Sequence, residues 1–232
     1  MIVHPIKTAV FAIGEDLRMF LQRWIPSVSE GSVICVASKI AALSQRRVRP
    51  KDGIDKDALV QGEAERMFPI VPGLALTYKD GHWCPNAGID ASNAFGCYVL
   101  WPERPMEVAE TVCRWLRETY QVKDVGVIIT DSRIFPARHG VTAVALGYAG
   151  FRALKDYRGQ QDLAGRPMEY TVVNVADALA TAGSLVMGEG SECQPLALIE
   201  NAPVEFVSEP VVEELTIDPE KDLFGVLANR IV

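Results

Sequence analysis

Asp131 stands at the end of an apolar run, Val125-Gly126-Val127-Ile128-Ile129, between the hydroxyls of Thr130 and Ser132, with Arg133, Arg138 and His139 close behind it. A β-branched run of this kind reads as a core strand. A carboxylate at its end suits a divalent metal, and the basic side chains beyond suit phosphate. The same residue types also cap and turn chains with no ligand in view, so this stretch alone leaves both readings open.

Three other stretches offer matching chemistry. Asn86-Ala87-Gly88-Ile89-Asp90-Ala91-Ser92-Asn93 sets small residues between oxygen and amide side chains, and Asp90 could join Asp131 on one metal. Magnesium and manganese beside a nucleotide are usually held by one or two carboxylates together with phosphate oxygens and water. Met187-Gly188-Glu189-Gly190-Ser191-Glu192-Cys193-Gln194 places glycines on both sides of Glu189, a possible third carboxylate ligand. Its plain alternative is a Schellman-type helix end with Gly188 or Gly190 in the left-handed region. Ser38-Lys39, at the end of an apolar run, could hold a phosphate, although a lysine there is more often a solvated tip.

The elements that must position these residues follow from the hydrophobic periodicity. Strands are expected at Lys7 to Ile13, Ser32 to Ala37, Leu74 to Tyr78, Cys97 to Leu100, Val125 to Ile129, Val141 to Leu146, Met168 to Asn174 and Leu196 to Ile199. Lys79-Asp80-Gly81 reads as a hairpin turn. Helices are expected at Asp16 to Trp24, Asp57 to Met67, Met106 to Tyr120, Phe151 to Tyr157, Leu223 to Asn229, and from Val175 to Met187 with Asn174 as its cap. Arg46, Arg47, Arg49 and Lys51 read as an exposed basic loop.

Composition bounds the classes of function. With 232 residues, 49% hydrophobic and 23% charged, the chain can bury the core of one large domain or two small ones. A formal net charge of −7 disfavours nonspecific binding to nucleic acid or anionic lipid. Five scattered cysteines without CxxC spacing suggest reduced thiols and no zinc ribbon. No apolar stretch is long enough to span a bilayer and the N-terminus lacks a secretory pattern, so a cytoplasmic protein without membrane partners is expected.

Taken together, Ser38-Lys39-Ile40, the NAGIDASN stretch at Asn86 to Asn93, GVIITDS at Gly126 to Ser132, the segment Ala145 to Asp177 and VMGEG at Val186 to Gly190 resemble the coenzyme F420-0:L-glutamate ligase family. These are γ-glutamyl ligases that extend the tail of a deazaflavin cofactor. The resemblance covers nearly the whole chain. It implies an α/β (α+β) fold, a mixed-sheet two-lobed subunit in an intertwined homodimer, with residues 1–232 forming one catalytic unit or two interwoven lobes. It also implies GTP as cosubstrate, manganese or magnesium, stimulation by potassium, and L-glutamate with F420-0 or a similar carboxylate-bearing cofactor as substrates. By the same resemblance Asp90, Asp131, Ser132 and Glu189 surround the metals, and Asp90, Asp131, Glu189 and Arg138 carry the catalysis. Ser38, Lys39, Asn93, Met187, Gly188, Gly190, Ser191, Glu192 and Gln194 contact the nucleotide.

Two departures fall at the phosphate grip. Leu43 replaces a lysine of the family's pattern, and Ile134-Phe135 replaces a Gly-Arg pair ahead of Arg138 and Gly140. Three functions remain in view: a GTP- and metal-dependent ligase working through an acyl phosphate, a metal-dependent nucleotide phosphohydrolase, and a noncatalytic ligand-binding paralogue.

Overall fold

The structure is a computed structural model that describes residues 1–209, 214–218 and 221–223. In chain order its elements are β1 (Ile2–Ile6), α1 (Leu17–Trp24), β2 (Ser32–Ala37), α2 (Ser38–Ser44), β3 (Val48–Pro50), α3 (Lys56–Glu63), β4 (Arg66–Val71), β5 (Leu74–Lys79), β6 (His82–Pro85), a 3-10 turn (Asn86–Gly88), β7 (Cys97–Val99), α4 (Pro105–Tyr120), β8 (Val125–Arg133), β9 (Thr142–Ala149), β10 (Leu154–Asp156), β11 (Val172–Asn174), α5 (Val175–Met187) and β12 (Leu196–Glu200). This is a mixed α/β fold, as the resemblance implies.

The main sheet runs β1-β12-β2-β8-β9, with β2 and β8 parallel and the other pairs antiparallel. Its centre is covered on both faces, which is why β2 and β8 are apolar at nearly every position rather than alternating. Ile34, Val36, Val127 and Ile129 face Phe20 and Leu21 of α1 and Val112 and Leu116 of α4. Val33, Cys35 and Ile128 face Leu179 and Ala180 of α5. Burying side chains such as Leu116 contributes roughly 1.5–3 kcal/mol each. Gly183 lets α5 lie close to the sheet, since a Cβ there would come within 2.6 Å of the Cys35 sulfur.

The β2–β8 register matters most for function. Ala37 lies opposite Thr130, so the parallel strands bring Ser38, the first residue of α2, beside Asp131. Ligands of α/β sheets gather at such carboxyl ends.

A smaller antiparallel sheet, β4-β5-β6, carries the second functional stretch. Asp80 and Gly81, both at positive φ, close the β5–β6 hairpin in the manner of a type I′ turn. Beyond β6, Asn86, Ala87 and Gly88 all take positive φ. The Asn86 side-chain oxygen accepts from Ala75 N–H, and Ala87 N–H donates to the Thr77 hydroxyl, tying the turn to β5. From there the chain delivers Asp90, which bridges to Val99.

Several elements differ from the sequence-based expectation. The N-terminal strand is Ile2–Ile6 and not Lys7 to Ile13, because Ile2–Ile6 pairs with β12 while Phe11 turns into the core beside Phe20. The helix expected to reach Met67 ends at Glu63, since Arg66–Val71 is recruited as a strand by β5. Phe151 to Tyr157 is extended rather than helical: Phe151 is fully buried and bridges Phe206, and Leu154–Asp156 pairs with Val172–Asn174. Long-range ladders win over local propensity in each case. The strands at Val125 and Val141 run on to Arg133 and Ala149, Gly147 serving to let the backbone of Pro105 approach. The strand read from Met168 is confined to Val172–Asn174. The basic loop is not wholly solvated either, because Arg47 is half-buried against Glu63 and Glu103. Asn174 caps α5 as expected, accepting from Asp177 N–H. The helix expected at Leu223 to Asn229 falls beyond the described residues.

Candidate active site

A cavity of about 400 Å³ opens where β2 and β8 end, walled by α2, the Asp90 loop and the turn after α5. Asp90, Asp131, Ser132, Glu189, Ser38, Lys39, Asn93, Met187, Gly188, Gly190, Ser191, Glu192 and Gln194 all line it. Residues far apart in the chain thus share one space, as their types suggested. Arg138 does not line it and sits exposed in the connection from β8 to β9. Arg133 lies over the Phe135 ring, 5.9 Å from its centroid.

Asp131 is held by two donors. The Ser38 hydroxyl donates to its Oδ1 at 2.7 Å and the Trp101 indole N–H to its Oδ2 at 2.6 Å. Burial pushes its pKa up to about 6, the Ser38 and Trp101 hydrogen bonds pull it back, and the nearby charge of Asp90 adds to the rise. Asp90 moves the other way. Burial alone would raise its pKa, but the Lys39 ammonium, 2.5 Å from Oδ2, and the Ser92 backbone N–H, 2.6 Å from Oδ1, together hold it below the ordinary carboxylate value. Lys39 also donates to the Ser92 carbonyl at 3.1 Å.

Glu189 receives the Ser132 hydroxyl at 2.8 Å and the Ser184 hydroxyl at 3.2 Å. Asn93 reaches across the cavity mouth to the Gly190 carbonyl at 3.0 Å, and Gln194 donates to the last carbonyls of α5. The turn is not a left-handed cap: Gly188 has φ 80° and ψ 167°, and Gly190 has no positive φ. The missing side chain of Gly188 instead makes room for the Glu192 carboxylate, which a Cβ would meet at 2.5 Å.

Sequence reasoning missed three features. Ser38 and Lys39 open the helix α2 rather than forming a strand tip, which aims both side chains into the cavity. Trp101 reads as an ordinary core residue, and nothing in its spacing marks it as a partner of Asp131. Ser184, one hydroxyl within the helical pattern of α5, gives no signal either.

Among the described residues the cavity lining carries four carboxylates, from Asp90, Asp131, Glu189 and Glu192, against the one ammonium of Lys39. Among the described residues no three Asp, Glu, His or Cys side chains cluster closely enough to hold a metal ion by themselves. The donor set therefore does not form an all-protein cage. It fits a cation of the magnesium type, which keeps water and phosphate oxygens and takes one or two carboxylates from the protein. Leu43 lines the same cavity and brings no charge to it.

A family model described as F420-0:Gamma-glutamyl ligase matches residues 5–201. The chain is 33% identical to the coenzyme F420:L-glutamate ligase of Methanopyrus kandleri, over 91% of this chain and 92% of that protein. It is 34% identical to the protein of that name from Haloarcula marismortui, over 90% of each. With the one from Methanocaldococcus jannaschii it shares 35% identity over 88% of this chain and 89% of the other.

Proposed function

The chain belongs to the F420-0:gamma-glutamyl ligase family, and from that membership we propose that it is an acid–amino-acid ligase joining L-glutamate through an amide bond to coenzyme F420-0 or a similar carboxylate-bearing cofactor, with GTP and a divalent cation. The observation that supports this most directly is the excess of carboxylates around the cavity. A triphosphate entering such a space meets repulsion unless cations accompany it. An ordinary phosphate-binding cleft would be basic.

The reaction is an acyl transfer through phosphate. An acceptor carboxylate oxygen attacks the γ-phosphorus of GTP, GDP leaves, and the amino nitrogen of glutamate, having lost its proton, attacks the acyl carbon so that phosphate departs. Phosphoryl transfer needs alignment and neutralisation of charge more than covalent help. Lys39 provides a cationic donor on the helix that follows β2, able to exchange Asp90 for a phosphate oxygen. Ser132 and Ser184 fix Glu189 at the wall of the same cavity, and Asn93 ties the Asp90 loop to the glycine turn. A divalent ion held by Asp90 and Asp131, with Ser132 and Glu189 beside them, would supply the remaining positive charge at the phosphates. An intertwined homodimer and stimulation by potassium belong to the same reading.

The test is direct. Purified protein with GTP, manganese, L-glutamate and F420-0 should release phosphate and form the γ-glutamyl product in equal amounts, with phosphate release depending on glutamate. Phosphate release indifferent to glutamate would instead favour a nucleotide phosphohydrolase. Tight nucleotide binding without turnover would favour a noncatalytic paralogue.

A further inference from the structure

We infer that Trp101 is the positioning residue of this site: its indole N–H, 2.6 Å from Asp131 Oδ2, sets the direction in which that carboxylate faces the cavity. The inference rests on the ligase reading for what Asp131 does, and on geometry for how Trp101 acts. Trp101 does not line the main cavity. It stands behind Asp131 and lines a separate cavity of about 280 Å³ on the side of His82 and Tyr148. Its hydrogen bond to the site is therefore made through Asp131.

The carboxylate is held from both sides. Ser38 donates to one oxygen and Trp101 to the other, which opposes rotation about the side-chain bonds. A serine hydroxyl can swing, but an indole N–H points wherever its ring points. The ring is fixed unusually well. It is buried with Cys84, Val144 and Leu146, and the His82 ring meets it edge-on at 5.8 Å. Gly88 is pressed against the indole, since a Cβ there would stand 2.1 Å from the Nε1 atom. Its backbone is fixed too: the Trp101 carbonyl accepts from Arg47 Nε at 3.2 Å, and Arg47 is paired with Glu63, which also holds Lys79. The smaller sheet and α3 are thus anchored to the backbone of the residue whose indole aims Asp131. A donor held this rigidly cannot follow a carboxylate that drifts, and so imposes a direction on it.

Trp101→Phe keeps the ring in its pocket and deletes the donor. In the ligase assay with GTP, manganese, L-glutamate and F420-0, we expect kcat to fall about tenfold or more and half-saturating manganese to rise about fivefold, with the KM for L-glutamate changed less than about twofold. A merely destabilised protein would lose active fraction without moving the manganese requirement. A folded variant with unchanged kcat and unchanged half-saturating manganese overturns the inference. Calorimetry of manganese binding to the GDP-loaded protein separates this claim from the ligase reading. Trp101→Phe should weaken binding about fivefold, and should add little in an Asp131→Asn background, where the contact can persist but the charge it aims at the cation is gone. If that coupling is found in a protein that forms no amide, the ligase reading fails and the role of Trp101 stands. If amide forms while manganese affinity is unaffected by Trp101→Phe, the reverse holds. Should Trp101→Phe fail to fold, wild-type protein labelled with 15N-tryptophan decides. The Trp101 indole signal must shift when magnesium and GDP are added, and must shift again in Asp131→Asn. A signal indifferent to both overturns the inference.

Discussion

Lys39 and Asp90 form an ion pair with 2.5 Å between Nζ and Oδ2, at the point where the helix after β2 meets the loop after β6. The pair joins the two sheets across the cavity and gives Asp90 a cation in a space otherwise rich in carboxylates. Lys39→Gln removes that cation and the donor proposed for phosphate. Because both side chains are partly exposed, the stability cost should be small, roughly 0.5–1 kcal/mol. The effect on turnover should be far larger, about a hundredfold in kcat/KM, with most of it in the nucleotide term. A thermal melt beside steady-state kinetics checks both, and a variant that loses stability and activity in proportion would assign Lys39 a structural role.

Asp131→Asn should stabilise the ligand-free protein at neutral pH while abolishing metal-dependent turnover. Its carboxyl takes up a proton more readily in the fold, with a pKa raised from 3.8 to about 6 by burial above all. The folded state therefore binds more protons than the unfolded chain across that window. Stability is full below about pH 4, falls as pH rises through pH 6, and levels off above it. Two pKa units convert to roughly 3 kcal/mol, and contact with a cavity open to water reduces this to about 1–2 kcal/mol. Asparagine escapes the penalty and keeps both contacts, its oxygen accepting from Trp101 and its amide donating to Ser38. Urea unfolding at pH 4.5 and pH 8 should show the variant's advantage only at the higher pH. An advantage equal at both would refute the electrostatic cause.

How far the sequence carries this picture depends on the range of the interactions involved. The β2 and β8 strands, α1, α4 and α5 are legible because their apolar periodicities are local and their caps, Asp16 and Asn174, are written beside them. The segments at Lys7 to Ile13, Arg66–Val71 and Phe151 to Tyr157 are not, because each takes its shape from a partner strand or core pocket distant in the chain. The cavity shows the same division. The acidic and hydroxyl side chains announce themselves by type, and a single parallel register, Ala37 opposite Thr130, is enough to bring Ser38 and Asp131 together. What remained hidden is which neutral residues support them. Trp101 acts through an N–H whose partner lies in β8, and Arg138 lies outside the cavity although its spacing from Asp131 suggested otherwise.

Gly88→Ala should damage the site without touching a charged group. The position requires φ +69°, which an L side chain adopts at a cost, and the added methyl would collide with the Trp101 indole. Since the indole is wedged in a buried cluster, it cannot yield freely. A loss of about 2–3 kcal/mol is expected, together with displacement of Trp101 from Asp131. Denaturant melts and tryptophan fluorescence check the two parts. A variant with native stability and native fluorescence would mean that the turn relaxes around the methyl group.

Leu43→Lys tests whether charge at the cavity wall limits the nucleotide. Leu43 lines the cavity from α2 and packs in part against the main core, so its replacement costs some burial, about 1 kcal/mol once the lysine stem covers the same surface. Its ammonium would reach into a space where, among the described residues, four carboxylates face one lysine. At an effective dielectric constant near 20, a unit charge a few ångströms from a phosphate contributes up to a few kcal/mol before desolvation is subtracted. A tenfold tighter GDP affinity, about 1.4 kcal/mol, is the expected net result. The gain should be largest without divalent cation, when nothing else offsets the carboxylates, and should shrink as manganese is added. Calorimetric titration of GDP into wild type and variant, each with and without manganese, measures both trends. An equal gain in the two conditions would show that the lysine acts by shape or hydrogen bonding, because relief of the same repulsion by two cations cannot be additive.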